Sequence, residues 1–325
     1  MSNSFVGDTT YSLLLYMLYA GEEMLTNTTY YVGKNLSPLT LPNKVVMPPI
    51  QSYDDKTRSL YRLKCLKYRW ALSHSEIFAQ DHLFFSSPLI DNLHYTLIED
   101  CPNFFTNFDY HQHLYLTQSY KERIRSFFLG RIGTHHRGYN PWCQKRIITS
   151  SRDQNFFDSL KIYKYEKVNM LKLWDESSAN KRKTIIAAYN LDTLKLETIA
   201  IRKVVIFSQP LCHDAHFSFE EQRNLFLPYV EKYGSENILV KLHPRDIFDY
   251  KKAYPGVETL STKAPQQLLS LMGLKFNTAI TCCSSAVSSM DKDCRIIWIG
   301  SEVDDRIMKA YGHVNNPCEV LTAHN

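Results

Sequence analysis

The chain has 325 residues, of which 44% are hydrophobic and 13% are aromatic, so it can bury enough apolar surface for two domains and is not intrinsically disordered. It carries 38 lysine and arginine residues against 33 aspartate and glutamate residues, a net charge of +5. This small excess favours an anionic ligand or an anionic membrane surface. Because no nucleic-acid-binding signature occurs, we expect no nucleic acid among its partners.

Cysteine usage and hydropathy indicate the compartment. The eight cysteines show no CxxC spacing. Neither a disulfide framework nor a zinc site is therefore expected, and reduced thiols are typical of a cytosolic protein. The apolar stretch from Tyr11 to Ala20 is about half of the ~20 residues that a membrane span needs, and it lacks the features of a signal peptide. We expect a cytoplasmic protein that touches a membrane only from its inner face.

The N-terminal elements predict a doubly wound α/β domain. A strand from Asn3 to Val6 leads through a turn into a helix from Tyr11 to Tyr19, and a second strand runs from Thr29 to Val32. The turn consists of Gly7, Asp8, Thr9 and Thr10. Ligands of such domains bind beyond the carboxyl ends of the strands, so this turn is predicted to line a ligand site, and Asp8 or Thr9 can also cap the helix.

The predicted elements continue as far as residue 98. They are strands from Val45 to Met47, His82 to Phe85 and Tyr95 to Ile98, and a helix from Thr57 to Trp70. Glu99 and Asp100 follow the last strand. Carboxylates at the end of a strand are candidates for a general base, but they are equally typical of turns and helix caps.

A basic and aromatic stretch occupies residues 120–137. Its basic residues include Arg123, Arg125, Arg131, His135, His136 and Arg137. We predict that this stretch contacts the anionic inner face of the membrane, with a solvated helix face as the alternative. The pairs His135-His136 and His111 with His113 lack the acidic or thiol partners of a metal site, so we expect no metal there.

The second half of the chain alternates strands and helices more regularly. The predicted strands are Lys203 to Phe207, Ile238 to Leu242, Thr278 to Thr281 and Arg295 to Ile299, and the helices are Phe219 to Tyr233 and Gln266 to Met272. This alternation implies right-handed crossovers and a parallel sheet. We therefore predict two Rossmann-like domains, residues 1–198 and 199–325, facing one another across a cleft.

The most informative segment surrounds His243. A buried strand runs into Leu242, and because Pro244 keeps the preceding residue out of helical geometry, His243 should lie at the carboxyl end of that strand. Lys241 and Arg245 place two positive charges beside it. A histidine with a pKa near neutrality can protonate an anionic leaving group, although a purely structural turn would also explain the motif.

A second candidate site follows the strand from Thr278 to Thr281. Ser284 and Ser285 precede a predicted helix from Ala286 to Met290. Hydroxyls and free backbone N–H groups at the start of a helix bind phosphate, and serine is also a preferred helix cap. Because the histidine motif lies in the same domain, the phosphate-binding interpretation is favoured.

One more carboxylate is a candidate base. Asp214 lies in the loop after the strand that ends at Phe207, and the residues alone do not choose between it and the Glu99-Asp100 pair. Asp291-Lys292-Asp293 has the DxD form of some metal sites, but it is short and falls in a predicted surface turn, so we expect no metal site there either.

Three short motifs, in this order, resemble those of the bacterial sialyltransferases of glycosyltransferase-B type that decorate lipooligosaccharide and capsule. They are an acidic pair, an HP motif and a serine motif, found here as Glu99-Asp100, His243-Pro244 and Ser284-Ser285. The segment that begins at Ser208 and the stretch around Pro265 are also similar to the lipooligosaccharide branch. The resemblance covers most of the chain, although each motif is only a few residues long.

This resemblance implies an inverting, metal-independent transfer of sialic acid from CMP-sialic acid to a galactose-type acceptor on a lipooligosaccharide or capsular glycan. His243 would assist the departure of CMP, and Ser284 and Ser285 would hold its phosphate. Residues 1–198 would form the acceptor side, including the turn at residues 7–10. The base would be Glu99 with Asp100 or, as in the lipooligosaccharide branch, Asp214. The remaining nucleotide contacts would be Lys241, Pro244, Arg245, Pro265 and Gln266.

Two departures from the family pattern leave the donor sugar open, although the fold and the nucleotide class are unaffected. Cys101 replaces the glycine of the acidic motif, and Gln266 and Gln267 stand where an acid is usual. The alternatives are a related nucleotide-sugar hexosyltransferase, a CDP-polyol phosphotransferase and a catalytically inactive glycan-binding homologue. The sequence determines neither the acceptor linkage nor whether the protein forms a homodimer.

Overall fold

The structure is a computed structural model that describes residues 2–50, 55–101, 121, 138–140, 142–149, 153–160, 162–191, 196–197, 199–314 and 316. The chain divides into two compact units, Met1–Ala188 and Tyr189–Asn325. Each unit contains its own parallel sheet with helices in the connections. The domain boundary predicted from the sequence lies after residue 198, a little further along the chain.

The sheet of the first unit has its strands in the order β3-β2-β1-β4-β5-β6-β7, all parallel. The strands are β1 (Ser2–Gly7), β2 (Thr28–Val32), β3 (Lys44–Val46), β4 (Ser75–Ala79), β5 (Tyr95–Ile98), β6 (Cys143–Ile148) and β7 (Tyr165–Lys167). The strand order reverses between β1 and β4. In doubly wound sheets this switch point, at the carboxyl ends of the strands, is where ligands bind.

The helices of the first unit follow the strands in the usual βα rhythm. In the described residues they are α1 (Thr10–Tyr19), α2 (Glu22–Asn27), α3 (Asp55–Leu72), α4 (Ser86–Ile90), α5 (Gln154–Ser159), α6 (Met170–Asp175) and α7 (Ala179–Ala188). Every residue of α1 from Tyr11 to Leu18 is buried, so the apolar N-terminal stretch is a core helix. No helix in the described ranges combines the length and the apolar character that a membrane crossing requires.

One predicted strand of this unit is wrong. Residues 82–85 form a turn, and the strand is instead β4, which ends at Ala79. Ile77, Phe78 and Ala79 are buried between β1 and β5, whereas Phe84 is exposed. The apolar run at residues 83–85 leads into α4 and does not join the sheet. A short apolar run does not by itself distinguish a strand from the start of a helix.

The sheet of the second unit has the order β10-β9-β8-β11-β12, again all parallel. Its strands are β8 (Val204–Phe207), β9 (Ile238–Lys241), β10 (Glu258–Leu260), β11 (Thr278–Thr281) and β12 (Arg295–Trp298). Its helices in the described residues are α8 (Leu211–Asp214), α9 (Phe219–Tyr233), α10 (Tyr250–Ala253), α11 (Gln266–Leu271) and α12 (Asp305–Tyr311). The switch point lies between β8 and β11, next to β9.

Local sequence signals explain where α9 begins and ends. The Ser218 side chain accepts a hydrogen bond from Glu221 N, and the Glu221 carboxylate accepts one from Ser218 N, which is a complete capping box. Gly234 ends the helix at a φ of 77°, a conformation that glycine adopts without strain. Phe226 and Val230 on the inner face pack against β8 and β9 residues such as Val240.

The predicted α-helix from Ala286 to Met290 is also corrected. Ser285–Ser289 is a 3-10 helix of five residues, and Met290 is already extended. The helix stops there because a turn at Asp291, in which Cys294 N donates to the Asp291 carbonyl, leads directly into β12.

Candidate active site

The predicted histidine lies directly beyond the carboxyl end of β9. Its backbone N–H donates to Ser208 Oγ at 2.9 Å, and its Nδ1 accepts from the backbone N–H of Arg245 at 3.2 Å. Because Nδ1 is used as an acceptor, the neutral ring of His243 carries its proton on Nε2. Burial, followed by the nearby Arg245 cation, lowers the pKa of His243, so the imidazole is neutral near pH 7. The motif therefore presents a single N–H donor of fixed identity.

Lys241, the last residue of β9, supplies a positive charge close to this donor. Burial lowers the pKa of Lys241 to about 8. Among the residues that the structure describes, no carboxylate forms an ion pair with its ammonium group. A desolvated cation without a counter-charge gains free energy when an anion binds beside it, so Lys241 is suited to a phosphate.

Asp214 and Arg245 form a tightly bonded pair in the same unit. Arg245 Nη1 and Nη2 donate to Asp214 Oδ1 and Oδ2, both at 2.8 Å. Tyr311 OH donates to Oδ2 at 3.0 Å, and His213 Nδ1 lies 2.7 Å from Oδ1. Burial raises the pKa of Asp214, but the hydrogen bonds from His213, Tyr311 and Arg245 outweigh it and hold that pKa below its usual value. Asp214 is therefore ionised at neutral pH, and all four of its lone-pair directions are occupied.

The serine motif forms the connection from β11 to the 3-10 helix. Ser284 caps this helix by accepting from Ala286 N at 3.3 Å, and Ser284 N donates to Thr281 Oγ1 at 3.1 Å. Gln209, beyond the end of β8, accepts from Cys283 N at 3.0 Å. The capping role foreseen for serine is thus realised at Ser284, and the phosphate role of Ser284 and Ser285 stays a prediction.

The predicted segment around Pro265 contains two glutamines in different environments. Gln266 is buried, and its Nε2 lies 3.5 Å from Ser270 Oγ in the next turn of α11. Gln267 instead donates from Nε2 to Ser289 Oγ at 2.6 Å, which ties α11 to the 3-10 helix of the serine motif. Gln267 therefore contacts the last residue of that 3-10 helix, and the nucleotide contact of Gln266 stays a prediction.

In the first unit, Gln80 connects the ends of β1, β4 and β5. Its Oε1 accepts from the backbone N–H groups of Asp8 and Thr9, at 2.7 and 3.2 Å. Its Nε2 donates to Thr9 Oγ1 at 2.9 Å and also to Asp100 Oδ1. Sequence reasoning missed Gln80. The available signal was its place directly after a strand of the switch point, which became visible only once β4 was located correctly.

The turn at residues 7–10 serves the fold through its side chains. Thr9 caps α1 by accepting from Ser12 N at 3.3 Å. Asp8 Oδ1 accepts from the backbone N–H groups of Asn35 and Leu36, at 2.9 and 3.1 Å. A Cβ at Gly33 would lie 2.5 Å from the Asp8 carboxylate, so glycine is required for this approach. An acceptor contact by this turn stays a prediction.

The acidic pair after β5 separates into two different environments. Glu99 is fully buried, and its Oε2 accepts from Thr149 N at 2.6 Å and from Thr149 Oγ1 at 2.7 Å. Burial raises the pKa of Glu99 to about 7. Asp100 keeps a quarter of its side chain exposed. Burial raises the pKa of Asp100, but hydrogen bonds from His82, Thr9 and Gln80 outweigh it and lower that pKa.

His82 is a second residue of this unit that sequence reasoning missed. Its Nε2 lies 3.4 Å from Asp100 Oδ2, and its Nδ1 lies 4.0 Å from Asp81 Oδ1. Asp81 is buried and accepts from Tyr95 OH and Gly138 N, each at 2.7 Å. The imidazole therefore lies between two carboxylates at the carboxyl end of β4.

Two sets of predicted residues lie in other parts of the chain. The basic segment at residues 120–137 and the histidines at 111, 113, 135 and 136 fall outside the described residues, except for Lys121. The Asp291-Lys292-Asp293 sequence is an exposed turn ahead of β12, as expected.

Comparison with known proteins identifies the family. Residues 73–299 match the model of glycosyltransferase family 52. An uncharacterised protein of Haemophilus influenzae is 24% identical over 308 residues, which are 93% of this chain and 95% of that protein. The matched range includes all three motifs.

Solved structures confirm the predicted glycosyltransferase-B type fold. An α/β-galactoside α-2,3-sialyltransferase of Photobacterium phosphoreum has a TM-score of 0.63 at 11% identity, over 97% of this chain and 96% of that one. A 2,6-sialyltransferase of a Photobacterium species, solved with CMP and lactose, has a TM-score of 0.59 at 12% identity, over 91% and 71%. With the family match over most of its length, the chain is a glycosyltransferase, and it belongs to glycosyltransferase family 52.

Proposed function

We propose that this chain is an inverting sialyltransferase that transfers sialic acid from CMP-sialic acid to a galactose-type acceptor of a lipooligosaccharide or capsular glycan. The observation that carries the proposal is the pairing of a histidine that presents only Nε2–H with an uncompensated lysine, at the carboxyl end of β9. This pair suits a phosphate that becomes more anionic as it departs. The Photobacterium enzyme of similar fold that was solved with CMP and lactose supports the choice of donor and acceptor class.

In the proposed reaction, the second unit binds CMP and assists its departure. The bond between the anomeric carbon of sialic acid and the CMP phosphate oxygen breaks, and the electron pair goes to the phosphate. His243 Nε2–H donates a hydrogen bond to that oxygen and stabilises the negative charge that develops there. The ring keeps its proton, because Nδ1 accepts from the backbone N–H of Arg245 and the neutral ring has no second proton to give. Lys241 offsets the remaining phosphate charge, and the hydroxyls of Ser284 and Ser285 donate hydrogen bonds to the phosphate oxygens.

The acceptor hydroxyl forms the new bond to the anomeric carbon and gives up its proton to a carboxylate. We place this base at Asp214, since Arg245 connects it to His243 within one unit. His213, which is exposed, is the donor that an acceptor hydroxyl would replace. Asp100 is the second candidate, because a quarter of its side chain is exposed. Glu99 is buried and bonded to Thr149, so we do not place the base there.

The remaining partners follow from the same proposal. The charge of the departing phosphate is met by Lys241 and His243, so we propose that transfer needs no metal ion. Pro244, Arg245, Pro265 and Gln266 would border the nucleotide. The basic segment at residues 120–137 is proposed to bring the protein to the inner face of the cytoplasmic membrane, where lipid-linked acceptors lie.

A donor screen with a histidine variant tests this proposal. We expect CMP release from CMP-sialic acid in the presence of lactose, and no turnover of UDP-hexoses or CDP-polyols. His243→Asn should lower kcat by roughly 10²- to 10³-fold, the usual cost of removing one hydrogen-bond donor to a developing charge, because asparagine places no donor where Nε2–H lies. His216→Asn is the matched control, because His216 is exposed in the same unit at a φ of 56°, which asparagine tolerates.

Three results would contradict parts of the proposal. Full turnover by His243→Asn would show that His243 does not assist the departure of CMP. Turnover of a hexose or polyol-phosphate donor instead would change the donor class. CMP binding without turnover of any donor would indicate an inactive homologue.

A further inference from the structure

The outer face of helix α3 carries a stripe of large apolar side chains. Leu60, Leu63, Leu66 and Trp70 are 49%, 63%, 55% and 72% exposed. Their spacing of three and four residues places them on one side of the helix. Soluble proteins expose single apolar residues commonly, but four on one helical face form a patch of the kind that marks a contact surface.

The inner face of α3 is firmly attached to the first unit. Tyr61, Cys65 and Leu72 are buried in its core. Arg69 Nη1 donates to the carbonyls of Pro88 and Leu89, both at 2.9 Å, and its Nη2 donates to the carbonyl of Asp91 at 2.7 Å. The apolar stripe is therefore the outward face of an anchored helix, because the residues that bury the helix lie on its other side.

Cations accompany the stripe, and the one acidic residue of α3 is Asp55, at its first position. Lys56, Lys64 and Lys67 are exposed on α3, and the sequence has no aspartate or glutamate between Lys56 and Ala71. A helix that combines leucine and tryptophan with lysine in this way is typical of segments that lie in the interface of an anionic bilayer. Tryptophan suits that depth in particular, because its ring is apolar and its N–H is a hydrogen-bond donor.

We propose that the outer face of α3 binds the surface of an anionic lipid bilayer, with the helix parallel to the membrane plane. Leu60, Leu63, Leu66 and Trp70 enter the interface, and the lysines contact the lipid head groups. A second copy of this chain is the less suitable occupant, since a two-fold contact through this face would bring lysines of both copies together. None of these residues belongs to the candidate active site, so the inference is independent of the proposed reaction.

Vesicle co-sedimentation of the full chain tests this surface. Wild-type protein should bind vesicles of phosphatidylglycerol and phosphatidylcholine, bind pure phosphatidylcholine at least tenfold more weakly, and dissociate at high salt. Lys64→Gln with Lys67→Gln should weaken binding by roughly 25-fold, if each lysine contributes the usual ~1 kcal/mol. Leu63→Ser with Leu66→Ser should weaken it at least tenfold. Leu171→Ser with Lys183→Glu, exposed positions on α6 and α7, is the matched control and should bind like the wild type.

The fluorescence of Trp70 provides a second readout. Trp70 is exposed, so its emission should shift to shorter wavelength when anionic vesicles are added, and Trp70→Phe should remove that shift. Circular dichroism of each variant confirms that it is folded.

Several results would overturn the proposal. The first is wild-type protein that does not bind anionic vesicles, or that binds neutral vesicles equally well. The second is a set of folded α3 variants that bind anionic vesicles as tightly as the wild type does. Loss of binding only when Arg123, Arg125 and Arg131 are replaced would assign the membrane contact to the basic segment instead. If the α3 variants changed the oligomeric state in sedimentation velocity rather than vesicle binding, the face would be a protein interface.

Discussion

Arg245 makes two contacts that prepare the histidine and the carboxylate together. Its backbone N–H selects the tautomer of His243, and its guanidinium binds both oxygens of Asp214. A lysine could not reproduce the second contact, because an ammonium group lacks the planar fork that pairs with a carboxylate. At the scale of single residues, the site is therefore organised by an arginine that itself needs no role in proton transfer.

The choice of base is decided by two matched amide variants. Asp214→Asn should lower kcat by roughly 10²- to 10⁴-fold and change CMP affinity by less than about tenfold, because the amide cannot take the proton of the acceptor hydroxyl. Asp100→Asn should lower kcat by less than about tenfold. Steady-state kinetics with lactose and calorimetric CMP binding measure both. The reverse pattern would move the base to Asp100.

The lowered pKa of Lys241 leads us to expect that nucleotide binding depends on pH. Its pKa of about 8 in the unliganded protein means that the side chain loses its charge as the pH rises through 8. The charge that attracts phosphate is present below that pH, so the Kd for CMP should be constant from about pH 7 to 7.5. It should then rise towards tenfold per pH unit above 8.

A variant of the same lysine provides the control. Lys241→Met should bind CMP more weakly and with a Kd that is flat from pH 7 to 9. A parallel rise of Kd in this variant would show that another group titrates.

At the scale of elements, the end of β5 shows how one strand produces two kinds of carboxylate. Successive residues of an extended chain point to opposite sides. Glu99 therefore turns into the unit, where Thr149 at the end of β6 meets it, and Asp100 turns outward to Gln80 and His82. The two carboxylates are neighbours in the sequence, but one is buried and the other is partly exposed.

The raised pKa of the buried Glu99 leads us to expect that the stability of the protein changes with pH. The pKa of Glu99 rises from its usual 4.5 to about 7 on folding, so the folded state retains a proton that the unfolded chain loses. The protonated Glu99 side chain stabilises the folded state fully below about pH 4.5, and this stabilisation is lost as the pH rises to about 7. The unfolding free energy of the wild type should therefore fall by about 2–3 kcal/mol over this range. Glu99→Gln should be free of this loss. The unfolding free energy of this variant, measured by urea unfolding, should therefore increase relative to that of the wild type between pH 5 and pH 8.

An exposed glutamate is the control for that experiment. Glu76→Gln on β4 should follow the wild type at every pH. A constant difference between Glu99→Gln and the wild type across this range would mean that Glu99 does not retain its proton on folding.

At the scale of the whole molecule, the two units repeat one design. Each contains a parallel sheet with a switch point, and in each the candidate residues follow the strands at that point. The second unit carries the proposed nucleotide residues, and the first carries Gln80, His82 and Asp100.

Ligand binding should therefore stabilise the folded chain. At a CMP concentration of about 100 times Kd, mass action adds about 2.7 kcal/mol, which corresponds to a rise in Tm of roughly 5–10 °C for a unit of this size. Differential scanning calorimetry with CMP and with UMP measures this shift. An equal shift with UMP, or none with CMP, would contradict the proposed nucleotide.

By itself, the sequence determined the fold class, the family and most elements of the second unit. Buried parallel strands are continuous apolar runs, and α9 carries its own capping box, so these signals are local. The order of the acidic, HP and serine motifs indicated the family. Only the tertiary structure revealed that Glu99 is buried and that Gln267 contacts Ser289. It also revealed the contacts of Gln80 and His82 with Asp100. Their partners lie far away in the chain, as Gln80 and Asp8 do, and only strand order brings such residues into hydrogen-bond distance.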